Sequence, residues 1–322
     1  MNTVARKDLK IITGNQHPML ARAIARRLGV PVTPVELTHF ANGEIKCQIL
    51  ESVRGADVFI VQTHSKPVND AVMEQAILID AARRASAKHI TAVCPFFGYA
   101  RQDRKASGRE PITAKLVVDI LRVAGVDRIV TVDLHSGQIQ GFFDGPFDHL
   151  IAMPVLIDHL QKRLGSSCVI VSPDAGRVKL AERYVSRLGA EMAILHKRRA
   201  AHSNAAEAPH LIGEVKGRNC VVIDDMIDGG GTVCAAAEQL TRHQAASITV
   251  IATHGIFSEP AAQRLAVSPI DYLAITDTLP LSIELEKPKI VVVSVVDLLA
   301  DSIAAIFQDR SVSALFDDEN QS

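Results

Sequence analysis

Short apolar stretches alternate with longer segments of helical periodicity along most of this chain. The apolar stretches are rich in β-branched residues, as in Val58–Val61, Ile90–Cys94 and Val221–Ile223. Uninterrupted runs of this kind are typical of strands buried on both faces of a parallel sheet. The helical segments between them supply the crossovers that parallel strands require. The pattern therefore predicts an α/β protein with mainly parallel sheets flanked by helices.

The two halves of the chain contain similar segments in the same order, which predicts an internal duplication. The matched pairs are Leu20–Gly29 with Leu180–Gly189, Val53–Gly55 with Val215–Gly217, Ile90–Val93 with Ile248–Ile251, and Val126–Asp133 with Ile270–Asp277. Each match is weak alone, but four in one order favour two tandem domains. We place the boundary near Pro146–Pro154, which gives domains of residues 1–149 and 150–322.

One motif in the second half joins a buried strand to carboxylates and glycines. After Val221–Ile223 come Asp224, Asp225, Asp228, Gly229, Gly230, Gly231 and Thr232, and then a helical segment, Val233–Leu240. A strand, a glycine-rich turn and a helix start together expose backbone N–H groups that bind phosphate. The carboxylates suit ribose hydroxyls or a phosphate-bound Mg²⁺. The motif thus predicts a phosphorylated-sugar site with a metal nearby, and the alternative is an ordinary turn with surface acids.

The equivalent segment of the first half, residues 62–70, has neither the acid pair nor the glycines. We therefore expect only the second half to bind a sugar phosphate, and the first half to have another role.

Composition narrows the class of protein. The chain has 322 residues, 48% of them hydrophobic, and a net charge of −1, so it gives no sign of bulk nucleic-acid binding. It lacks Trp, which argues against a base-stacking surface for single strands. Its five cysteines include no CxxC pair, and the apolar run Ile290–Ala300 is too short to span a bilayer. We expect a folded cytoplasmic protein with buried thiols.

Two segments of the first half are candidate nucleotide contacts. Residues 95–105 contain three aromatics followed by Arg101, Arg104 and Lys105, which suit a nucleobase and phosphates respectively. The alternative is a packed loop with a solvated basic end. The turn Phe40–Glu44 combines an aromatic, an amide and a carboxylate, which is compatible with adenine and ribose contacts, although it also fits a simple turn.

Candidate metal ligands follow two other predicted strands. His135 lies in Asp133–Gly137 and Asp174 in Ser172–Gly176, each at the carboxyl end of a strand. That edge is where open α/β sheets bind ligands. A lone histidine is often structural, so this alternative remains open.

A basic cluster precedes a segment without a clear core pattern. Lys197 and Arg199 follow the strand Met192–Leu195, and residues 200–209 are Ala-rich. Residues 197–210 therefore suit a lid loop that brings cations over polyphosphate, or else a solvated basic turn. No Gly-x-x-x-x-Gly-Lys-Ser/Thr or Gly-x-Gly-x-x-Gly motif occurs, so the common nucleotide-binding folds are not indicated.

Together these segments resemble the ribose-phosphate pyrophosphokinase (phosphoribosyl pyrophosphate synthetase) family from about Leu9 to Phe316. The most specific stretches are Phe97–Lys105, Arg109–Val117, Asp133–Phe143 and Asp224–Asp228. The resemblance implies two tandem phosphoribosyltransferase-like domains, each a mainly parallel sheet flanked by helices. It also implies transfer of the pyrophosphoryl group of ATP to the 1-hydroxyl of ribose 5-phosphate, which yields 5-phosphoribosyl 1-pyrophosphate and AMP.

The resemblance assigns roles to individual residues. ATP would be held by Phe40, Asn42, Gly43, Glu44, Arg101 and Gln102, near Phe97. Ribose 5-phosphate would be held by Arg199, Asp224, Asp225, Asp228, Gly229, Gly230, Gly231 and Thr232. His135 and Asp174 would contact Mg²⁺, and Lys197 and Arg199 would act in catalysis. The resemblance further implies hexamers built from dimers, with phosphate and ADP as effectors acting through segments such as Ser52–Arg54 and Ser311–Ser313.

Some positions depart from the family pattern. Gly229 stands where the turn usually has Thr, and Arg177 stands where Gly is common, close to Asp174. The lid loop is Ala-rich and lacks the usual basic residues. Two alternatives to an active synthetase therefore stay open. One is a silent or weak regulatory paralogue, and the other is a phosphoribosyltransferase, which shares the sugar-phosphate turn.

Overall fold

The computed structural model describes residues 8–164, 167–196 and 210–316. The strands are β1 (Leu9–Thr13), β2 (Val35–His39), β3 (Ile45–Ile49), β4 (Asp57–Val61), β5 (His89–Cys94), β6 (Arg128–Val132), β7 (Phe147–Leu150), β8 (Val169–Ser172), β9 (Glu191–His196), β10 (His210–Ile212), β11 (Asn219–Ile227), β12 (Ser247–Gly255), β13 (Tyr272–Thr276) and β14 (Lys289–Val293). The α-helices are α1 (Pro18–Leu28), α2 (Val68–Arg84), α3 (Thr113–Ala124), α4 (Met153–Leu164), α5 (Val178–Leu188), α6 (Gly231–Arg242), α7 (Ala261–Ala266) and α8 (Val296–Phe307).

These elements form two compact units. The first unit contains the described residues up to Ile151, together with Thr278–Pro280 and the stretch from Val295 onward. The second contains Ala152–Asp277 and Leu281–Ser294. This division differs from the predicted domains, which assigned all of residues 150–322 to the second, because α8 returns to the first unit. There Arg27 of α1 forms an ion pair with Asp297 at 2.8 Å.

The sheet of each unit follows one topology. The first sheet has the order β1-β4-β5-β6-β7, and its strands are all parallel. The second has the order β10-β9-β8-β11-β12-β13-β14, in which only β10 is antiparallel. The strands β8-β11-β12-β13-β14 thus repeat the order of the first sheet. The prediction of two duplicated α/β domains with mainly parallel sheets is confirmed.

The duplication extends to single hydrogen bonds. Gly55 N–H donates to Ser86 O at 2.8 Å, and the equivalent Gly217 N–H donates to Gln244 O, also at 2.8 Å. Both bonds hold the turn that precedes a central strand of each sheet.

A carboxylate caps the neighbouring strand in the same way in both units. Asp127 accepts from Ile90 N–H and Asp271 accepts from Ile248 N–H, each at 2.8 Å. Because hydrogen bonds of this kind depend on register, the match supports a common ancestor for the two units beyond the shared strand order.

The central strands are buried throughout, as their β-branched composition predicts. Every residue of β4 and of β13 is buried. Each unit has its own apolar cluster between sheet and helices, so each unit has the core expected of a domain. No helix in the part of the chain that the structure describes is both long and apolar enough to cross a membrane.

Candidate functional site

The predicted sugar-phosphate turn lies at the carboxyl end of β11, a central strand between β8 and β12. The strand is longer than its apolar run suggested, since it continues through both acids to Ile227. The acids therefore sit within a paired strand, and Asp224 lies beside Ala252 of β12. Both carboxylates are consequently held by the sheet instead of a loose turn.

Gly230 makes the tight turn from β11 into α6. Its φ of 73° is in the left-handed region, which disfavours any residue with a side chain. Its carbonyl accepts from Cys234 N–H at 3.1 Å and so begins the helical bonding of α6. Gly231 is exposed and Thr232 is half-buried in the first turn of this helix. The N–H groups of a helix start favour a bound anion, as the motif predicted.

The acid pair contacts Arg177, which ends the short 3-10 segment Ala175–Arg177 before α5. Its Nε lies 2.9 Å from Asp224 Oδ1, and its Nη2 lies 2.6 Å from Asp225 Oδ1. Sequence reasoning marked Arg177 only as a departure near Asp174 and missed this contact.

Burial raises the pKa of Asp224, the charge of Asp225 raises it further, and Arg177 lowers it. The side chains of Asp224 and Asp225 are only 10% and 8% exposed, so each carboxylate feels the other strongly.

Arg264 of α7 also contacts the turn, and no sequence motif indicated it. Its Nη1 donates to Gly229 O at 2.9 Å, which ties the first glycine of the turn to a neighbouring helix. The guanidinium lies close enough to Gly229 that an added Cβ would meet Nη1 at 3.3 Å. Arg264 thus adds positive charge beside the predicted phosphate position.

Asp174 follows β8 in the second unit and is half-buried. Its Oδ1 accepts from Gly176 N–H at 2.9 Å, while Ser172 Oγ donates to its main-chain carbonyl at 2.7 Å. These bonds fix the carboxylate at the predicted edge of the sheet. No group of three or more His, Cys, Asp or Glu side chains among residues 8–164, 167–196 and 210–316 could hold a metal ion. A single carboxylate suits Mg²⁺ that is bound mainly through phosphates and water.

His135 belongs to the first unit, in the segment that follows β6. It is half-buried, and the preceding Leu134 N–H donates to His149 Nε2 at 2.8 Å. Nearby Asp133 has a φ of 39°, a conformation that non-glycine residues adopt rarely and often at functional sites. The strand end is therefore a specifically shaped turn.

The predicted ATP residues Phe40, Asn42, Gly43 and Glu44 form the exposed tip of the hairpin between β2 and β3. Glu44 N–H donates to Asn42 Oδ1 at 3.1 Å, and Phe40 N–H donates to Glu44 O at 2.8 Å. Phe40 is 53% exposed, so its ring is available for stacking.

In the other predicted nucleotide segment, Arg101 and Gln102 are exposed. Gln102 accepts from Thr113 Oγ1 at 2.6 Å, which joins the loop to α3. The prediction that aromatics of residues 95–105 offer a surface to a nucleobase is wrong for Phe96 and Phe97, which are 9% and 1% exposed. Phe97 instead packs on Phe147 in the first core, with ring centroids 6.2 Å apart.

Buried polar side chains occupy the first unit's counterpart of the phosphate turn. Gln62 donates to Glu74 Oε2 at 2.6 Å, and both are 1% exposed. His64 accepts from Gly98 N–H at Nδ1 (2.9 Å), so its proton is on Nε2, which donates to Gln75 Oε1 (2.8 Å). Burial lowers the pKa of His64 to about 4. This turn is therefore a structural network that supports the loop from Gly98 onward.

Lys197 and Arg199 lie outside the described residues, as does the predicted lid loop as far as residue 209. His210, the last residue of that predicted loop, begins β10.

Comparison with known proteins places the chain in a family. Residues 9–125 match the N-terminal domain of ribose phosphate pyrophosphokinase, and residues 200–317 match the phosphoribosyl synthetase-associated domain. The ribose-phosphate pyrophosphokinase of Streptomyces avermitilis is 50% identical over 99% of each chain. The chain belongs to the ribose-phosphate pyrophosphokinase family.

Other members of the ribose-phosphate pyrophosphokinase family are also similar to this chain over nearly its whole length. The ribose-phosphate pyrophosphokinase of Mycobacterium tuberculosis is 48% identical over 97% of both chains. The crystal structure of phosphoribosylpyrophosphate synthetase from Mycobacterium smegmatis is 46% identical, covers 94% of this chain and 100% of its own, and superposes with a TM-score of 0.89. The resemblance drawn from the motifs is confirmed over essentially the whole chain.

Proposed function

We propose that this chain transfers the β,γ-pyrophosphoryl group of ATP to the 1-hydroxyl of ribose 5-phosphate. The observation that carries the proposal is the acid pair on β11 followed by the glycine turn and the start of α6. Full-length similarity to ribose-phosphate pyrophosphokinases supports it. The products are 5-phosphoribosyl 1-pyrophosphate and AMP, which serve nucleotide biosynthesis.

The second unit binds the sugar in this proposal. The 5-phosphate accepts hydrogen bonds from backbone N–H groups of Gly229–Thr232, where the helix start stabilises its charge. Asp224 and Asp225 accept hydrogen bonds from the ribose hydroxyls, and Asp228 lies at the start of the turn. The rigid strand under the acids fixes the orientation of the sugar, which directs its 1-hydroxyl.

The first unit binds ATP. Phe40 stacks on the adenine, and Asn42, Gly43 and Glu44 offer polar contacts at the same exposed tip. Arg101 and Gln102 contact phosphates and sugar from the loop that the His64 network supports. Phe97 is buried in the core of the first unit, so we assign it no contact with ATP.

Mg²⁺ would be a substrate-bound ion held mainly by phosphate oxygens, and the candidate protein contacts are Asp174 in the second unit and His135 in the first. When bound, it neutralises negative charge on the polyphosphate. The half-buried carboxylate of Asp174, oriented by Gly176 N–H, is the part of the donor set best suited to it.

The reaction needs alignment and charge neutralisation more than covalent catalysis. The 1-hydroxyl oxygen forms a bond to the β-phosphorus, the bond from that phosphorus to the oxygen bridging the α-phosphate breaks, and AMP departs. The hydroxyl proton passes from the attacking oxygen to solvent water. Lys197 and Arg199 place positive charge on the transferring group, and Arg199 also contacts the sugar phosphate.

Assembly, location and regulation complete the proposal. We infer a homohexamer built from dimers, with phosphate and ADP acting through Ser52–Arg54 and Ser311–Ser313. Cytoplasmic location is supported by five free cysteines, four of them buried. Unchanged activity across a phosphate titration, with purely competitive inhibition by ADP, would contradict the regulatory part.

The test is AMP release from ATP and ribose 5-phosphate with Mg²⁺ and phosphate present. We expect AMP release that depends on the sugar and is lost in Lys197→Ala. Lys216→Ala, which removes an exposed cation of the second unit, is the matched control and should keep full activity. Folded protein that binds ATP but releases no AMP at any sugar concentration would instead indicate a silent paralogue. Release of pyrophosphate from phosphoribosyl pyrophosphate only with an added base would indicate a phosphoribosyltransferase.

A further inference from the structure

Arg177 bridges the two carboxylates of the sugar site with two different nitrogens. Nε contacts Asp224 Oδ1 at 2.9 Å, and Nη2 contacts Asp225 Oδ1 at 2.6 Å. The Arg177 side chain is 21% exposed, and the acids are half as exposed or less. The guanidinium is therefore packed into the site.

Two adjacent buried carboxylates repel each other, so a site that keeps both ionised needs a counter-charge close by. A residue without a charged side chain at position 177 could not provide one. A dissolved cation would then have to take the place of the guanidinium. Here the guanidinium provides the counter-charge permanently, since arginine does not lose its proton in proteins.

The charge state of the acids controls how they bind a sugar. An ionised carboxylate only accepts hydrogen bonds, and it accepts them from hydroxyls more strongly than a neutral group does. A protonated acid offers a donor of its own and binds a ribose hydroxyl less well. Burial and the charge of Asp225 raise the pKa of Asp224, and Arg177 opposes that rise, so Arg177 favours the ionised form of the pair that suits ribose hydroxyls.

We propose that Arg177 is the resident counter-charge of the Asp224–Asp225 pair, which makes the binding of ribose 5-phosphate nearly independent of divalent cations. Arg177 is a positioning residue in this scheme, because it acts on the sugar through the two acids. The proposal rests on the proposed function, which assigns the sugar to this turn.

The test measures ribose 5-phosphate binding by titration calorimetry without nucleotide, once with a chelator and once with Mg²⁺. The proteins are wild type, Arg177→Gln, Arg177→Lys and the control Lys179→Gln. The control removes one exposed positive charge from α5, the helix that begins directly after Arg177.

We expect the wild-type dissociation constant to change less than about threefold between chelator and Mg²⁺. Arg177→Gln should lose about tenfold in affinity with chelator, since charged hydrogen bonds are weakened, and should recover most of it with Mg²⁺. The affinity of Arg177→Lys with chelator should lie between those of wild type and Arg177→Gln, because an ammonium keeps the charge without the two-nitrogen fork. Lys179→Gln should match wild type.

Recovery of Arg177→Gln by Mg²⁺ also shows that the variant is folded. Equal responses of wild type and Arg177→Gln to Mg²⁺ would overturn the proposal. Tighter sugar binding by Arg177→Gln with chelator would also overturn it, since Arg177 would then be a competitor of the sugar. Binding by none of the four proteins under either condition would overturn the proposed sugar site itself, and this inference with it.

Discussion

Replacing Gly229 by threonine tests how the glycine turn binds phosphate. The φ of Gly229 is outside the left-handed region, unlike that of Gly230, so a side chain is compatible with its backbone. An added Cβ would lie 3.3 Å from Arg264 Nη1, the terminal atom of a flexible side chain. Arg264 must shift by a few tenths of an ångström, which costs little at a partly exposed site. The backbone at position 229 is therefore compatible with threonine.

The gain comes from one new hydrogen bond to the sugar phosphate. A net hydrogen bond is worth about 1 kcal/mol. That corresponds to about a fivefold lower dissociation constant for ribose 5-phosphate. Gly229 in wild type offers only its N–H, so we expect wild type to bind the sugar more weakly than Gly229→Thr by this factor. The binding of ATP, which we assign to the first unit, should not change.

The assay is calorimetric titration with ribose 5-phosphate, together with the Michaelis constant for the sugar. The matched control is Gly229→Ala, which adds the Cβ and stiffens the chain but has no hydroxyl. Gly229→Thr should bind about fivefold more tightly than Gly229→Ala. Equal affinities in the two variants would show that position 229 makes no hydroxyl contact and would refute the reasoning.

Further predictions concern charge and stacking. Because the pKa of His64 falls to about 4 on folding, the wild-type free energy of unfolding should drop by about 3 kcal/mol as pH falls from 6.5 to 4. The drop should be smaller in His64→Asn, and urea unfolding at each pH measures both. Because folding raises the pKa of Asp224, ionisation of this carboxyl lowers the free energy of unfolding as pH rises above the ordinary carboxyl range. Asp224→Asn should therefore flatten that part of the dependence of the unfolding free energy on pH. Phe40→Ala should weaken ATP binding about tenfold and leave ribose 5-phosphate binding unchanged, and equal losses for both ligands would contradict stacking.

The sequence predicted the features that are repeated or local. The mainly parallel sheets, the duplication and the turn at Asp228–Thr232 follow from apolar periodicity and glycine placement, which are properties of contiguous residues. The return of α8 to the first unit was missed, because nothing local in Val296–Phe307 says which core its apolar face joins. The burial of Phe97 was missed for a related reason. An aromatic next to arginines reads as a binding surface until its packing partner, Phe147, is known.

The two copies of the turn differ in side-chain chemistry although both units share one fold. In the second unit the turn consists of glycines and the start of α6, with Gly231 exposed. In the first, Gln62 donates to Glu74 and to Ala71 O, while His64 accepts from Gly98 N–H and donates to Gln75. A Cβ added at Gly14 would lie only 2.3 Å from the Gln62 side chain. Buried polar groups need partners, so this network had to be completed as a whole.

Arg177 contacts the acid pair, which its position in the sequence did not indicate. Its partner Asp224 is 47 residues away, and the two meet because β8 and β11 are neighbours in the sheet. An arginine beside an acid pair alters the electrostatics of the site without altering the motif that identifies it. Motif comparison alone would therefore count the acid pair as unchanged, whereas the geometry shows two carboxylates with a cation of their own. The contacts of Arg177 with both acids are therefore a part of this site that only the structure reveals.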